Sequence, residues 1–351
     1  MEIPQKMKAA RFYNVNEPLK IEEVPVPQLK DDEVLVQLKA VGLCGSDIHI
    51  AYEGVTATDY QPIILGHEPS GIVVQTGANV QGWEIGTRVS VFPIIYCGSC
   101  PNCISGHSEI CYELKVLGVH RDGGLAEYMA IPAKNLVKLP NNIPFTIGAI
   151  ITDAVATPFH ALIDRAQLRA GESVAIFGAG GLGLHAVQIA RMAGAKQIIV
   201  VDVKDEQLER AKQLGADISI NSKYESPVEV IKKSTNGYGV DVAAEFVGLQ
   251  ETIKQAAASA GVGGRVVVSG IGPEPIQLMA TEKFVRKQLS LHGSFGLTKQ
   301  TVEQLAALAG NGRMNLEDSI THTFPLYEVN TALHYLHEKI ENPTRIVITF
   351  E

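Results

Sequence analysis

The six residues Gly178-Ala179-Gly180-Gly181-Leu182-Gly183 constrain this chain more than any other stretch. They follow a short apolar run, Val174 to Phe177, and precede a helix-like segment from Leu184 to Ala193. Glycines in this pattern permit a tight turn, let the backbone approach a pyrophosphate and allow a helix to pack closely on a strand, while the helix start adds positive potential. The bare pattern is weak, but its context strengthens it. The next strand-like run ends in Asp202, 19 residues after Gly183 (202 minus 183). A carboxylate there accepts hydrogen bonds from ribose hydroxyls and repels a 2′-phosphate. Lys204 is nearby, but no arginine follows Asp202 directly, so NAD is favoured over NADP. Gly178, Gly180, Gly181, Leu182 and Gly183 form the expected cradle.

The surrounding pattern predicts a doubly wound parallel sheet. Ser173 to Phe177, Gln197 to Val201, Val240 to Phe246, Arg265 to Ser269 and Leu289 to Gly293 read as strands, with Ile218 to Ile220 as a weaker sixth. Helical stretches such as Leu182 to Ala193 and Asp205 to Leu214 alternate with them, as βαβ units require. The first part of the chain has a different rhythm. Glu33 to Val41, Gly71 to Gln75, Arg88 to Phe92 and Leu125 to Ile131 are short β-branched runs punctuated by Gly and Pro, which predicts an antiparallel, barrel-like β domain. After a helix over Lys299 to Ala309, a mixed tail ends in the strand-like Arg345 to Phe350. The expected boundaries are 1–154 for the β domain, 155–296 for the dinucleotide domain and 297–351 for a segment too short to fold alone, which returns to the β domain.

Bulk properties narrow the partners. A length of 351 residues exceeds what one core usually supports, and 46% hydrophobic with 19% charged residues argues against extensive disorder. The net charge of -8 offers no basic surplus for nucleic acid or an anionic membrane, which leaves small molecules as the expected ligands. Met1 to Phe12 lacks the apolar core of a signal peptide, so the expected location is the cytoplasm. Val174 to Ala190, the longest near-apolar stretch, is broken by glycines, His185 and Gln188, and no membrane span is expected.

Four of the five cysteines, Cys97, Cys100, Cys103 and Cys111, fall within one loop. Four thiolates at this spacing can wrap a tetrahedral zinc, and such a closed site has no position for water, so it should hold the loop together without doing chemistry. The fifth, Cys44, lies in Gly42-Leu43-Cys44-Gly45-Ser46-Asp47-Ile48-His49, and His67 in Gly66-His67-Glu68-Pro69. With one further group these two could give a three-ligand zinc with an open position. Their separation of 23 residues (67 minus 44) is only suggestive by itself.

Taken in order, Gly66-His67-Glu68, the four-cysteine lobe and the Gly178 to Gly183 loop resemble the zinc-dependent medium-chain alcohol dehydrogenase superfamily, from Met7 to Phe350. That resemblance implies a GroES-like antiparallel β-barrel catalytic domain beside a Rossmann NAD-binding domain. It implies two zinc ions per chain, one structural and one catalytic. Cys44 and His67 match the first two catalytic ligands, and Asp153 stands where many members have a cysteine, as in the secondary-alcohol branch. Glu68 matches an alternative or fourth ligand, or else pairs with a cation, for which Arg345 is the candidate. Ser46 matches the hydroxyl that takes the substrate proton, and His49 the histidine that passes it to solvent through the cofactor ribose. Asp47 matches the carboxylate that orients His67, and Arg345 a residue near the pyrophosphate. A reversible oxidation of an alcohol, in particular a secondary alcohol, diol or polyol, to a ketone or aldehyde follows, carried out by a homodimer or homotetramer.

Two rivals share parts of this pattern: a non-catalytic NAD- and zinc-binding protein, and a quinone or enoyl reductase of the same superfamily. The intact Cys44, Ser46, His49, His67 and Asp153 argue against the first, and the cysteine lobe against the second. Ile48, Tyr52, Ile94, Ile95 and Phe295 are candidate substrate-lining residues. The other histidines are assigned to structure or surface, with His160 open because it follows Asp153 by two helical turns.

Overall fold

The computed structural model describes residues 3–350. They form two compact units, one comprising the chain through Asp153 together with the segment from Thr298 onwards, the other Ala154–Leu297.

The first unit is built on the strand Glu33–Leu43, eleven residues that are nearly all buried. Val, Leu and Ala dominate it, as expected of a strand covered on both faces. Its first half pairs with Tyr128–Pro132, its stretch from Val34 to Gly42 with Glu68–Thr76, and its last four residues with Arg345–Thr349, all antiparallel. Arg88–Val91 and Leu136–Lys138 extend the sheet beyond Glu68–Thr76, and Ile320–Pro325 extends it beyond Arg345–Thr349. A smaller sheet of Lys20–Pro25, Lys6–Phe12 and Ile63–Ile64 lies in the same unit. Phe12, Val36, Leu38, Val41, Ile63 and Leu125 belong to the core cluster they share.

Three features of this unit differ from the expectation. Ile320–Pro325 and Arg345–Thr349 run parallel, so the sheet is not purely antiparallel. The strand expected from Leu125 begins only at Tyr128. Leu125 instead lies in a backbone crossing, where its N–H donates to the Leu65 carbonyl at 3.0 Å. The strand Lys20–Pro25 was not legible because it is mostly exposed, with no apolar alternation to mark it.

The second unit is a six-stranded sheet in the order Ile218–Asn221, Gln197–Asp202, Ser173–Phe177, Val240–Glu245, Ala260–Val268 and Ser290–Gly293, with every pair parallel. Its central strands are continuous Val, Ile and Ala runs with helices between them, as a sheet covered on both faces requires. The order reverses between Ser173–Phe177 and Val240–Glu245. A crevice at the carboxyl ends of the strands opens at such a switch point.

A helical run, Phe145–Arg165, passes from one unit into the other. It is long and apolar enough to cross a membrane by length and composition, but 83% of its most apolar window is buried in the protein. It replaces Val174 to Ala190 as the longest apolar stretch, because the latter is a buried strand followed by a separate helix, Gly181–Met192.

Candidate active site and metal centre

Sheet register assembles the first site. Gly42 pairs with Glu68, so Cys44, just past the end of Glu33–Leu43, and His67, just before Glu68–Thr76, leave the same end of two neighbouring strands. Ile346 pairs with Leu43 on the other side, which brings Arg345 to that end too. Asp153 arrives from the helical run, on the wide turn Ile151–Val155. One potential ligand atom from each of Cys44, His67, Glu68 and Asp153 lies within 4.8 Å of the others. Asp153 Oδ2 is 3.3 Å from Cys44 Sγ and 3.6 Å from His67 Nε2. The Ser46 hydroxyl stands 3.3 Å from His67 Nε2.

The neighbours of this cluster orient it. Asp47 accepts the Cys44 N–H at 2.9 Å through one oxygen and holds the other 3.7 Å from His67 Nδ1. With Nδ1 turned to a carboxylate, Nε2 is the nitrogen left to face the cluster. Glu68 is fully buried, and Arg345, 4% exposed, donates to its Oε1. Glu68 Oε2 is buried and has no hydrogen-bond partner among the described residues. A Cβ added at Gly42 would lie 2.1 Å from that oxygen, so only glycine leaves room for the carboxylate.

The electrostatics fit a cation. Burial, assisted by Asp153 and opposed by Arg345, pushes the Glu68 carboxyl up to about 7. Burial pulls His67 down, but Asp47 and Asp153 outweigh it and hold the imidazole well above its usual range. Burial likewise opposes the Arg345 charge, and Glu68 and Cys44 more than restore it. The cluster therefore carries more potential negative charge than Arg345 neutralises. A mixed sulfur, nitrogen and carboxylate donor set with an orphaned buried oxygen suits a zinc ion.

The cysteine lobe is the second donor group. Cys97, Cys100, Cys103 and Cys111 are free thiols whose sulfurs lie within 4.8 Å of one another. Sγ separations of 3.5 Å for Cys97 and Cys111, and 3.9 Å for Cys97 and Cys103 and for Cys100 and Cys111, approach the roughly 3.8 Å edge of a tetrahedron of zinc–thiolate bonds. The N–H groups of Ser99 and Cys100 draw the Cys97 thiol down to about 6, whereas burial pushes Cys103 up to about 12.

In the second unit, Gly178 has a φ of 92°, and a Cβ at Gly183 would lie 1.8 Å from the Gly178 carbonyl oxygen, so the loop closes as tightly as the sequence implies. A Cβ at Gly180 would meet nothing within 4 Å, which leaves the turn open to an approaching phosphate. Asp202 accepts the Ala179 N–H at 2.7 Å with one oxygen and those of Val203 and Lys204, at 2.7 and 2.9 Å, with the other. The carboxylate is thus held beside the loop. These residues fit a dinucleotide.

Several expected residues lie elsewhere. Arg345 is buried against Glu68, which leaves little surface for a pyrophosphate contact. Ile48 and Ile94 are 6% and 2% exposed and belong to the interior rather than to a substrate lining. Tyr52 is stacked on His337 at 4.5 Å. His160 is buried and paired with Asp164 at 2.8 Å, and it is not a member of the ligand group. The His49 partner Glu53, at 2.6 Å, was missed, although a Glu four residues after a His is a visible helical pairing signal.

Two family models match the chain: the alcohol dehydrogenase GroES-like domain over residues 30–141 and the zinc-binding dehydrogenase domain over residues 181–311. An L-threonine 3-dehydrogenase of Bacillus velezensis is 36% identical over 309 residues, covering 87% of this chain and 88% of that protein. A sorbitol dehydrogenase of Bacillus subtilis is 33% identical over 335 residues, 94% of each chain. Among solved structures, a putative zinc-binding dehydrogenase from Sinorhizobium meliloti bound to NADP aligns with a TM-score of 0.89 at 30% identity, over 99% of this chain and 100% of that one. With its ligand clusters, glycine loop and two-unit fold on hand, the chain belongs to the zinc-dependent medium-chain alcohol dehydrogenases, which interconvert alcohols and carbonyl compounds.

Proposed function

We propose that this enzyme oxidises the secondary carbinol of a diol, polyol or amino alcohol, reversibly, with NAD and two zinc ions per chain. The observation that carries the reading is the convergence of Cys44, His67, Glu68 and Asp153 on one small space. The substrate class is supported by the relatives, which are named for threonine and sorbitol, both of which carry a hydroxyl beside other polar groups. NAD is supported by Asp202: a 2′-phosphate would meet a carboxylate whose lone pairs already serve three N–H groups. One solved relative is bound to NADP, so both cofactors belong in the assay.

We take the first unit as the catalytic domain, with its 298–351 segment contributing Arg345, and the second as the NAD domain. When bound, the catalytic zinc would acidify the substrate hydroxyl and NAD would accept a hydride. The chain's own residues do the rest. Cys44, His67 and Asp153 hold the metal, and Asp47 orients His67. Ser46 accepts the hydroxyl proton and His49 carries it towards solvent. Glu68, paired with Arg345, is the alternative ligand. Cys97, Cys100, Cys103 and Cys111 hold the structural zinc. Gly178, Gly180, Gly181, Leu182 and Gly183 offer backbone to the pyrophosphate.

A cytoplasmic homo-oligomer completes the proposal. Its support is the open edge of the strand Ser290–Gly293, where Leu291 is 37% and Phe295 50% exposed. The deciding experiment measures zinc content together with NAD and NADP reduction on primary, secondary and polyhydroxy alcohols. Two zinc ions with NAD-linked turnover that Asp153→Ala abolishes is the expected result. Two zinc ions without turnover on any alcohol would favour a binding protein instead.

A further inference from the structure

His49 and Glu53 bound a wide helical turn just after the Cys44 loop. The turn is of π type: the Gly54 N–H donates to the His49 carbonyl five residues back, and the Val55 N–H donates to the same oxygen at 3.0 Å. Gly54 closes it with a φ of 64°, a conformation that suits glycine. Single π turns are rare and are found frequently at functional sites. Here the two ends of the turn meet, with Glu53 Oε2 2.6 Å from His49 Nδ1. Both side chains keep access to water, at 37% and 43% exposure. An exposed pair of this kind adds little to stability.

We infer that Glu53 is a positioning residue for His49, its carboxylate accepting the Nδ1–H and so keeping the Nε2 lone pair free to receive a proton. The inference rests on the reading of His49 as the proton carrier. A neutral imidazole has one N–H, and a carboxylate can accept it only if it sits on the facing nitrogen. With Glu53 at Nδ1, the ring is the Nδ1-protonated tautomer. A proton arriving at Nε2 makes an imidazolium whose charge lies beside the carboxylate, and a proton then leaves to water, restoring the neutral ring without any movement of electrons between groups. This is the task a carboxylate performs for an acid–base histidine elsewhere. The next aromatic, Tyr52, is engaged by His337, and His337 by Glu338 at 2.9 Å, so those groups have their own partners.

The test compares Glu53→Ala, Glu53→Asp and His49→Gln in the zinc-loaded, full-length protein. Because both side chains are exposed, thermal unfolding should be unchanged and serves as the folding control. In protein labelled with 15N-histidine, long-range 15N–1H correlations should assign the Nδ1–H tautomer to His49 in the parent and a shift towards Nε2–H in Glu53→Ala. In turnover, Glu53→Ala should lower kcat by about tenfold, leave KM within about twofold, and leave NADH affinity by fluorescence titration unaltered, with Glu53→Asp restoring part of kcat. An unchanged tautomer or an unchanged kcat in Glu53→Ala, while His49→Gln is impaired, makes the pair an ordinary surface contact and overturns the inference alone. No loss in His49→Gln removes the proton-carrier reading, and the inference with it.

Discussion

The two metal-binding clusters are built in opposite ways. The cysteine lobe draws all its donors from Cys97 to Cys111, donors of one kind, partly exposed except for the buried Cys111, with N–H groups of the same loop donating to Cys97 and Cys111. The Cys44, His67, Glu68 and Asp153 cluster mixes donor types and closes over a separation of 109 residues between Cys44 and Asp153. It also needs a counter-ion, Arg345, which lies 277 residues from Glu68. A closed, uniform site spends its ligands on stability, whereas a mixed, charge-strained site retains an unsatisfied oxygen and an adjacent hydroxyl for chemistry. Substitutions in the two clusters should therefore fail differently.

The sharpest contrast is Asp153→Ala against a lobe variant. Asp153→Ala should lower kcat/KM by about a thousandfold or more, since metal activation is worth several kcal/mol, while leaving the unfolding midpoint nearly unchanged. Steady-state kinetics and calorimetry on the same sample separate the two effects, and comparable loss of midpoint would erase the distinction. Next in size is Ser46→Ala, which should cost roughly 10²- to 10⁴-fold in kcat with two zinc ions retained by metal analysis. Full zinc occupancy with full activity would remove Ser46 from the proton path.

Cys100→Ser should reverse the pattern. Loss of the lobe metal should lower the unfolding midpoint by roughly 6–12 °C, for about 3 kcal/mol lost, with turnover per folded molecule kept within a few fold. Asp47→Asn should weaken zinc at the mixed site by about 10- to 100-fold, read by chelator competition, and leave the lobe metal in place. The smallest effect concerns pH. In metal-free protein Glu68 has a folded value of about 7 against an ordinary 4.5. Its contribution to stability is thus fully present below 4.5 and is lost as pH rises through about 7. Glu68→Gln should remove that part of the decline in midpoint between pH 5 and 8, and an identical pH profile would mean that Glu68 is ionised throughout.

How much was legible follows the same division. Ser173–Phe177 begins and ends where the apolar run does, because a strand buried on both faces has no polar interruptions. The GxGxxG loop and the lobe were legible because their geometry is contained in a few consecutive residues. Tyr128–Pro132 started later than expected because the glycine-rich backbone before it is taken up by another chain crossing. Ile48 and Ile94 looked like lining residues by composition alone, and burial assigned them to the interior. Glu53 went unnoticed because an acidic residue four after a histidine is common on solvated helices and gains meaning only from the π turn that closes it.

By itself the sequence determined the local patterns: a glycine-rich turn between a strand and a helix, four cysteines in one loop, and a cysteine just past a strand. Such motifs need only short-range backbone geometry, so residue type and spacing suffice. The tertiary structure decided which distant residues complete them. Register between Glu33–Leu43, Glu68–Thr76 and Arg345–Thr349 buries Arg345 against Glu68, and a wide turn in the helical run aims Asp153 at Cys44. Those contacts depend on sheet pairing and on closing long loops, and no spacing along the chain encodes them.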